Sequence, residues 1–442
     1  MMANPVPKPS FDAVVIGGGL AGHLAAIKLA KAGRSVALLE QSKRLGGRAA
    51  TTSKDGVQFN LGPHALYCHG HAFRLLKELE IPFRGGVPNP GIPLGYHKGH
   101  EYRLPTTPSG LFWTSLLSLR EKWQLTRLFR ELPDIKTAPL MHTSVEEWTQ
   151  HRYGDRALAK FLFAFFRLTS YAAEMEHYSA GAALDQLKLG LQGNVWYVDN
   201  GWQSIIDELH RTAVKLGVDV RTSAHVTAVR PTDAGIVVQT SHQEEFASNA
   251  AILAVSPQQA CAMLELATTD PLPQWMQSAR PVYAACLDIA LTKLPRPQYR
   301  FALGLDQPYY LSVHSAAAKL GPSGVAVIQA MKYLTASDPS GDHERELEQM
   351  LDHVQPGWRE HVLTRRWLPS MLVAPDLPQA AVGGLVGRPP VHAAGIPGVF
   401  VAGDWVGDRG QLADASAASA ETAARATLQF LQTAPTRQLQ HA

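Results

Sequence analysis

The first forty residues alternate between short and long apolar stretches. Residues 12–16 form a short run with the length and β-branched content of a buried strand, and residues 20–32 carry apolar side chains at helical spacing. Gly33 ends the predicted helix, and residues 35–39 predict a second buried strand. Strand, turn, helix and strand thus follow one another within about 30 residues, which is the order of a βαβ unit.

The turn between the first strand and the helix contains a G-x-G-x-x-G motif formed by Gly17, Gly19 and Gly22. The first glycine permits a tight turn, the second lets a pyrophosphate approach the backbone, and the third lets the helix pack against the strand. Amides at a helix start favour negative charge. Glu40 follows Gly22 by 18 residues, where a carboxylate accepts hydrogen bonds from ribose hydroxyls. The alternative, an ordinary glycine-rich turn, fits this context less well than a dinucleotide site.

The alternation between strands and helices returns in the second half of the chain. Strands are predicted at residues 217–220, 224–230, 236–240 and 250–254, and later at 282–291, 325–333 and 398–404. Residues 96–104 predict a hairpin, helices dominate from there to about residue 190, and residues 411–432 predict an alanine-rich helix. The pattern therefore predicts an α/β protein whose two ends both contribute nucleotide-fold elements.

Two helical stretches are unusually rich in large apolar residues. Residues 111–132 place Trp113 and Trp123 in an apolar stripe with basic residues interleaved, and residues 157–168 read ALAKFLFAFFRL. The first predicts an amphipathic helix against the domain core, with the mouth of a lipophilic substrate pocket or a membrane-touching patch as alternatives. The second predicts a buried helix, with an interfacial or substrate-channel helix as its alternative.

Composition narrows the class of protein. The 442 residues are 45% hydrophobic and 18% charged, which describes a folded globular chain, and a net charge of +3 is too small to indicate nucleic-acid binding. The three cysteines lack metal-ligand spacing, and residues 1–10 lack the apolar core of a signal peptide and predict a short disordered lead-in. No run of 18 apolar residues occurs. We therefore expect a cytoplasmic protein, possible peripheral membrane contact and no metal site.

A second glycine pair follows Glu40 and changes the meaning of the first motif. A nicotinamide dehydrogenase does not require Arg44-Leu45-Gly46-Gly47-Arg48 at this point, whereas FAD needs further amides and a cation along its pyrophosphate and ribitol. With G-G-G-L-A-G, Glu40 and the later N-L-G-P-H segment, the first 65 residues resemble the flavoprotein family of phytoene desaturases, carotenoid isomerases, protoporphyrinogen oxidases and monoamine oxidases.

The resemblance implies a discontinuous, Rossmann-like FAD-binding domain with an inserted α+β substrate-binding domain. The first would comprise residues 1–85, 200–260 and 391–442, and the second residues 86–199 and 261–390. Family motifs carried over residue by residue imply the following FAD-binding positions: Gly17, Gly19, Leu20, Ala21, Gly22, Glu40, Gln41, Arg44, Gly46, Gly47, Arg48, Gly62, Pro63, His64, Ala65, Val226, Gly403, Asp404, Gln411, Leu412 and Ala413.

The resemblance places the turn at residues 62–65 near the flavin ring, which makes His64 the candidate catalytic residue. The alternative is a structural, hydrogen-bonding histidine. A helix N-terminus at the carboxyl end of the chain would stabilise the anion of a reduced flavin, as a hydride acceptor requires.

Departures from the family pattern narrow the expected activity. Residues 409–412 contain neither the aromatic residue that monoamine oxidases place before this helix nor a cysteine, so we expect FAD to be bound non-covalently. The apolar, tryptophan-rich helices favour an elongated hydrophobic substrate, as in the phytoene-desaturase-like branch. We therefore predict an FAD-dependent oxidoreductase that takes a hydride from an isoprenoid or polyene, with O2 or a quinone as acceptor. An amine or porphyrinogen oxidase using O2 and an isomerase with non-redox FAD are the alternatives.

Overall fold

The computed structural model describes residues 10–335, 338 and 341–433. Except for Ser10, the predicted lead-in lies outside these residues. Within them the strands are β1 Ser10–Ile16, β2 Val36–Leu39, β3 Thr51–Lys54, β4 Val57–Asn60, β5 Leu66–Tyr67, β6 Gly85–Gly86, β7 Leu94–His97, β8 His100–Arg103, β9 Val195–Val198, β10 Asp219–Arg221, β11 Val226–Thr232, β12 Gly235–Thr240, β13 Glu245–Leu253, β14 Val282–Leu291, β15 Phe301–Gly304, β16 Tyr309–Val313, β17 Ala326–Leu334, β18 Val362–Ala374 and β19 Val399–Val401.

The helices connect these strands and cover the sheets. They are α1 Leu20–Lys31, α2 His71–Glu78, α3 Pro108–Trp113, α4 Leu119–Glu131, α5 Val145–Tyr153, α6 Ala157–Ser170, α7 Ala180–Gly193, α8 Gln203–Lys215, α9 Pro257–Met263, α10 Pro271–Ser278, α11 His343–Val354 and α12 Leu412–Thr433. Within the described ranges, no helix combines the length and apolar content needed to cross a membrane.

The first sheet carries the predicted βαβ unit. Its strand order is β10-β2-β1-β13-β12-β11, and β19 also pairs with β13. The pairs β10–β2, β2–β1, β1–β13 and β13–β19 are parallel, whereas the pairs β13–β12 and β12–β11 are antiparallel. The β2 side chains are all buried, as expected of a parallel strand covered on both faces. The carboxyl ends of β1, β2 and β19 therefore meet at one edge, where ligands of open α/β sheets bind.

The second sheet has the order β18-β14-β17-β16-β15-β7-β8 and is antiparallel except for the β15–β7 pair. Strand β17 and almost all of β14 are buried, because both faces of the sheet are covered. On one face Ala284 and Cys286 share a core with residues of α5, α6 and α7. On the other, Leu287 and Ile289 pack with Leu347 of α11.

The predicted α/β fold is confirmed, and so is the hairpin, which forms β7 and β8. The single amphipathic helix predicted over residues 111–132 is wrong. Ser118 starts a new helix there with a capping box, its side chain bonding the Glu121 amide while the Glu121 carboxylate bonds the Ser118 amide. Leu116 and Leu128 are buried as expected, but Trp113 and Trp123 are 70% and 62% exposed, so they do not belong to the core stripe. The proposed division into two domains stays a prediction.

Candidate active site

The first glycine turn is shaped by two close main-chain approaches. Gly17 has φ +109°, its amide donates to the Leu39 carbonyl at 2.8 Å, and a Cβ built on it would lie 2.4 Å from the Ala254 carbonyl oxygen. A Cβ on Gly22 would lie 1.8 Å from the Gly17 carbonyl oxygen. Both positions therefore require glycine for the turn to close onto the sheet.

Gly19 differs from these two glycines because it faces open space. It is the N-cap of α1 with φ −85°, and a Cβ there would meet only the Gly46 carbonyl oxygen, at 3.8 Å. A Cβ on Gly47, whose φ is +54°, would likewise meet only the Gly19 Cα, at 3.8 Å. The Gly46 amide donates to the Gly18 carbonyl at 2.9 Å and ties the two turns together. The two turns thus border a groove lined by main chain.

The start of α1 is suited to an anion. Leu20 and Ala21 open the helix, its first turn contains no acidic residue, and the Gly19 N-cap makes no side-chain hydrogen bond. Unpaired amides at a helix N-terminus and the helix dipole both favour negative charge. The groove between Gly19 and Gly47 therefore has the electrostatics of a phosphate site.

Glu40 lies at the end of β2 with 9% of its surface exposed. Its carboxylate accepts hydrogen bonds from the Gly18 amide at 2.7 Å and from the Ser42 amide at 2.8 Å, which fixes its orientation beside the first turn. The Glu40 carbonyl accepts from the Ala224 amide at 2.8 Å, and the buried Val226 begins β11 two residues later. The structure therefore brings Glu40 and Val226 to the same edge of the sheet.

Gln41 and Arg44 are exposed and are held by neighbours outside the groove. The Gln41 side-chain oxygen accepts from Gln259 at 3.4 Å, and the Arg44 guanidinium donates to the Thr51 carbonyl. Arg44 therefore fastens the second glycine turn to β3.

Arg48 and Asp404 join the two ends of the chain at the site. The guanidinium donates from Nη1 and Nη2 to the two Asp404 carboxylate oxygens, at 2.6 Å each, and Nη1 also reaches the Val373 carbonyl at 2.7 Å. Asp404 is 3% exposed. Gly403, at φ +150°, hydrogen-bonds through its amide and carbonyl to the Ser419 hydroxyl of α12. The turn after β19 is thus fixed both to the second glycine turn and to α12.

The first turn of α12 is fixed from two sides. Gln411 accepts a hydrogen bond from the Tyr178 hydroxyl and donates to the Ala182 carbonyl, each at 3.0 Å. Its side chain is therefore bound to α7 and to a residue shortly before that helix. Asp414 accepts from the Ala72 amide at the start of α2 at 2.8 Å. Burial raises the pKa of Asp414 to about 6. Leu412, with φ +55°, and Ala413 complete the turn.

The turn at residues 62–65 lies against both the first part of the chain and the second sheet. Gly62 has φ +74°, and its carbonyl accepts from Gln329 Nε2 at 3.1 Å and faces His64 Nδ1 at 3.0 Å. His64 Nε2 lies 3.1 Å from the Arg48 carbonyl oxygen. Burial lowers the pKa of His64, so the neutral ring donates through one nitrogen only. Both nitrogens face main-chain carbonyls, which is the geometry of a positioning histidine.

A row of buried polar side chains in the second sheet supports this turn. Asp288 of β14 stands opposite Gln329 of β17 and Arg366 of β18. Arg366 Nε lies 3.0 Å from Asp288 Oδ2, and Nη1 donates to the Thr52 hydroxyl at 2.6 Å. The same guanidinium reaches the Asn60 carbonyl, two residues before Gly62. Burial raises the pKa of Asp288 to about 6, opposed by the Arg366 charge.

An aromatic wall extends from the turn into the helical layer. The Tyr171 hydroxyl donates to the Pro63 carbonyl at 3.0 Å, and the Tyr171 and Tyr333 rings are 6.4 Å apart. Tyr197 and Tyr310 share a hydroxyl contact of 3.3 Å. Burial raises the pKa of all four phenols, so they are neutral. The four phenols therefore supply aromatic surface that carries no charge of its own.

Comparison with known proteins places this geometry in a family. Residues 20–428 match the model of the flavin containing amine oxidoreductases. The chain belongs to this family. Its cofactor is accordingly FAD, bound non-covalently.

The following individual relatives share at most about a quarter of their aligned residues with the chain. Over 259 residues the chain is 26% identical to 4,4'-diapolycopene oxygenase from Methylomonas sp, which covers 50% of each sequence, so the chain spans about half the length of the curated relatives it matches. An oxidoreductase from Methanosarcina mazei superposes with a TM-score of 0.75 at 18% identity, covering 93% of this chain and 99% of that one. Cyclohexylamine oxidase from Brevibacterium oxydans IH-35A gives 0.69 at 16% identity, covering 96% and 100%. The solved structures establish the shared fold.

The described residues of this family member fit a flavin nucleotide. The groove between Gly19 and Gly47 is main-chain lined and faces the start of α1, as a pyrophosphate requires, and the Glu40 carboxylate lies at the end of β2 next to it. The turn at residues 62–65 and the start of α12 are both joined to this region through Arg48 and Asp404. Hydrogen bonds therefore connect the first glycine turn, the second glycine turn, the turn at residues 62–65 and the turn after β19, whereas Gln41 and Arg44 lie outside the groove. The assignment of these positions to FAD binding stays a prediction.

Sequence reasoning missed two groups. The signal for the Asp288–Arg366 pair was Asp288, a single charged residue in the apolar strand β14, since buried aspartates seldom occur unless they are paired. Glu174, Glu176 and His177 present ligand atoms within 4.8 Å of one another, although no metal site was expected. Glu174 also lies 3.6 Å from Arg280, so this acidic group already has a counter-ion.

Proposed function

We propose that the protein is an FAD-dependent desaturase or dehydrogenase that takes a hydride from an elongated lipophilic substrate of isoprenoid or polyene type. The observation that carries this proposal is the aromatic wall that starts at the Tyr171–Pro63 hydrogen bond and continues through Tyr333. A polyene needs dispersion contacts and no counter-ion, which buried neutral phenols supply. The relative from Methylomonas, which is named for a polyene, supports the same substrate class.

We assign the cofactor positions from the same geometry. The groove between Gly19 and Gly47 would hold the pyrophosphate, with Glu40 on the adenosine ribose and Val226 offering main chain to the adenine. Arg48 and Asp404 would lie along the ribitol. The turn at residues 62–65 and the start of α12 would enclose the flavin ring. In this assignment the first sheet and the helices around it form the FAD-binding domain, and the second sheet with α3–α7 forms the substrate-binding domain.

The chain's own residues then have defined tasks. FAD supplies the hydride acceptor. The two glycine turns hold the nucleotide by main-chain donors, and the start of α12 favours negative charge near the ring. His64 positions the turn by donating to one of the two main-chain carbonyls that its ring nitrogens face, and we propose this role in place of proton removal. The aromatic wall orients the substrate and excludes water, which strengthens every electrostatic contact at the ring.

The test of this function is anaerobic reduction of the bound flavin. Purified holoenzyme is mixed in a stopped-flow instrument with a panel of polyenes, aliphatic and aromatic amines, and a porphyrinogen, and the flavin absorbance is followed. Bleaching by a polyene alone supports the proposal. Bleaching by an amine or the porphyrinogen alone contradicts it, as does a flavin that dithionite reduces but no substrate does. Reoxidation by a quinone and by O2 then identifies the acceptor.

A surface formed by α3 and the start of α4 supports peripheral membrane contact. Phe112, Trp113, Leu119 and Trp123 are between 62% and 86% exposed, and the Phe112 and Trp113 rings are 5.0 Å apart. Lys122 donates to the Phe112 carbonyl at 3.0 Å, which joins the two helices. Exposed aromatic residues beside basic residues are typical of surfaces that bind anionic lipid. Around the aromatic residues lie the basic side chains of Arg120, Lys122, Arg127 and Arg130.

We infer that this membrane-facing patch, residues 112–130, docks on anionic lipid and brings the protein to a lipophilic substrate. Holoenzyme is expected to sediment with vesicles of phosphatidylglycerol and phosphatidylcholine, and less with phosphatidylcholine alone. Replacing Trp113 and Trp123 by alanine should abolish sedimentation, whereas Val386→Ala, at a site that is 73% exposed elsewhere, should not. Equal sedimentation of all three proteins would contradict the inference.

A further inference from the structure

Arg167 is a partly buried cation on the sixth helix, and two of its three guanidinium nitrogens lack partners among the described residues. Its Nε and Nη1 atoms are inaccessible to solvent and make no hydrogen bond to any residue that the structure describes. Burial lowers the pKa of Arg167, and the charge of the Asp306 carboxylate opposes that effect. A guanidinium taken out of water without hydrogen bonds is strongly destabilising. Such a group is uncommon in a folded protein unless a ligand completes it.

Arg167 lies on the helix whose C-cap is Tyr171, the residue that hydrogen-bonds to the turn at residues 62–65. Phe163, Arg167 and Tyr171 are spaced by four residues and so share one face of the helix. The Tyr171 amide donates to the Arg167 carbonyl at 2.7 Å, so the helical spacing holds to the C-cap. Four residues of α-helix advance by about 6 Å. Arg167 therefore stands one turn away from the tyrosine whose hydroxyl holds the Pro63 carbonyl.

Tyr333 of β17 brings a second unpartnered donor close to this face. Its hydroxyl is buried and has no hydrogen-bond partner among the described residues. Its ring lies 6.4 Å from that of Tyr171, and the Arg167 charge opposes the rise that burial causes in the pKa of Tyr333. One aromatic segment of the wall thus presents a guanidinium and a hydroxyl that are both free to donate.

Asp306 is the acid that acts on Arg167, and its oxygens are already engaged. Oδ1 lies 2.8 Å from His97 Nδ1, and Oδ2 accepts from the Lys98 amide at 2.5 Å. Asp306 is also on the loop after β15, with about a third of its side chain exposed. It therefore neutralises Arg167 only at a distance and leaves the donors of Arg167 available.

We propose that Arg167, together with the Tyr333 hydroxyl, binds a carboxylate at one end of the substrate. A guanidinium presents its N–H groups in a fork that matches a carboxylate, and a phenol adds a third donor. A pure hydrocarbon would leave all of these donors unpaired. The substrate class is thus an elongated apolar chain that carries an acid group. This inference rests on the proposed function for the orientation of the substrate relative to the flavin. The binding that it requires is independent of turnover.

The test compares retinoate with retinol, two polyenes of equal length that differ in the acid group. Each is titrated into oxidised holoenzyme, and binding is measured from the perturbation of the flavin absorbance spectrum. Wild-type protein is expected to bind retinoate at least about tenfold more tightly, since a hydrogen bond to a charged group in a buried site has this effect. Arg167→Met should equalise the two ligands, and Arg167→Lys should keep part of the preference.

Two further variants separate ligand binding from structure. Tyr333→Phe should weaken retinoate severalfold and leave retinol unchanged. Lys160→Met removes a cation from the same helix, where Lys160 pairs with Asp155 at 3.3 Å on the surface, and should change neither affinity. Equal affinities in wild type, a preference that survives Arg167→Met, or no saturable binding of retinoate would each overturn the inference. If Arg167-dependent binding is found but no polyene bleaches the flavin, the proposed function fails and the acid site stands.

Discussion

Gly19→Ala is expected to separate folding from cofactor binding. The backbone at Gly19 has φ −85°, which alanine adopts freely, and the added methyl group would meet only the Gly46 carbonyl oxygen, at an ordinary contact distance of 3.8 Å. The substitution also reduces the freedom of the unfolded chain. The apoprotein should therefore unfold with an unchanged free energy, or one up to about 1 kcal/mol higher.

The same methyl group projects into the groove where we place the pyrophosphate. It would keep phosphate oxygens from the amides at the start of α1, and each hydrogen bond to a charged group that is lost costs about 1.5–3 kcal/mol. The dissociation constant for FAD should therefore rise by about 10- to 150-fold for each bond lost. The assay is quenching of FAD fluorescence on titration with apoprotein, with thermal unfolding of the apoprotein measured in parallel.

Two control variants sharpen the result. Gly33→Ala introduces a side chain at φ +76° with nothing within 4 Å, at the other end of the same helix. It should destabilise the apoprotein by about 1 kcal/mol and leave FAD affinity unchanged. Gly22→Ala places a methyl group 1.8 Å from the Gly17 carbonyl oxygen and should prevent folding. A folded Gly19→Ala protein with wild-type affinity for FAD would refute the placement of the pyrophosphate.

Three further predictions concern the residues around the site. Asp288→Leu should destabilise the holoprotein by about 3–5 kcal/mol because Arg366 loses its buried partner, and adding Arg366→Met should recover most of this stability. The measurement is the unfolding midpoint of wild type, the two single variants and the double variant. A double variant that is no more stable than Asp288→Leu would contradict the prediction. The flavin-reduction rate of the wild-type protein should be independent of pH between 6.5 and 8, since the lowered pKa keeps His64 neutral there, and His64→Gln, which keeps a donor, should retain this rate; a rate loss above about a hundredfold with FAD still bound would instead indicate proton transfer. Because burial raises the pKa of Asp414 to about 6, its contribution to stability is greatest below its unfolded pKa and is lost as pH rises through 6. The free energy of unfolding of Asp414→Asn should therefore rise relative to that of wild type by up to about 3 kcal/mol between pH 4 and 7. Parallel profiles of unfolding free energy against pH for the two proteins would contradict this.

The sequence predicted those parts of the site that depend on neighbours in the chain. Gly17 and Gly22 lie within one turn of each other, so local spacing alone shows that a backbone must pass closely there. The same holds for Gly46 and Gly47, both at positive φ. The order of the elements along the chain was sufficient to predict the βαβ unit of the first sheet and the α/β fold class.

The parts that were missed depend on strand register. Asp288, Gln329 and Arg366 come from three strands, and only their alignment across β14, β17 and β18 makes them one row. The orientation of Gln411 toward Tyr178 likewise depends on how α12 meets α7, which sequence spacing does not fix. The error over residues 111–132 was avoidable in part, because Ser118 followed by Glu121 is a recognisable helix start.

The bond between Arg48 and Asp404 also affects when the protein becomes functional during its synthesis. The two residues are 356 positions apart, and they close the site only after both have left the ribosome. At about 5–20 residues per second, the amino-terminal glycine turns wait roughly 20–70 s for their carboxyl-terminal partner. Flavin loading should therefore wait until Asp404 has been synthesised. Ribosome-bound chains halted before residue 404 should show no FAD fluorescence quenching, whereas released chains that contain residue 404 should.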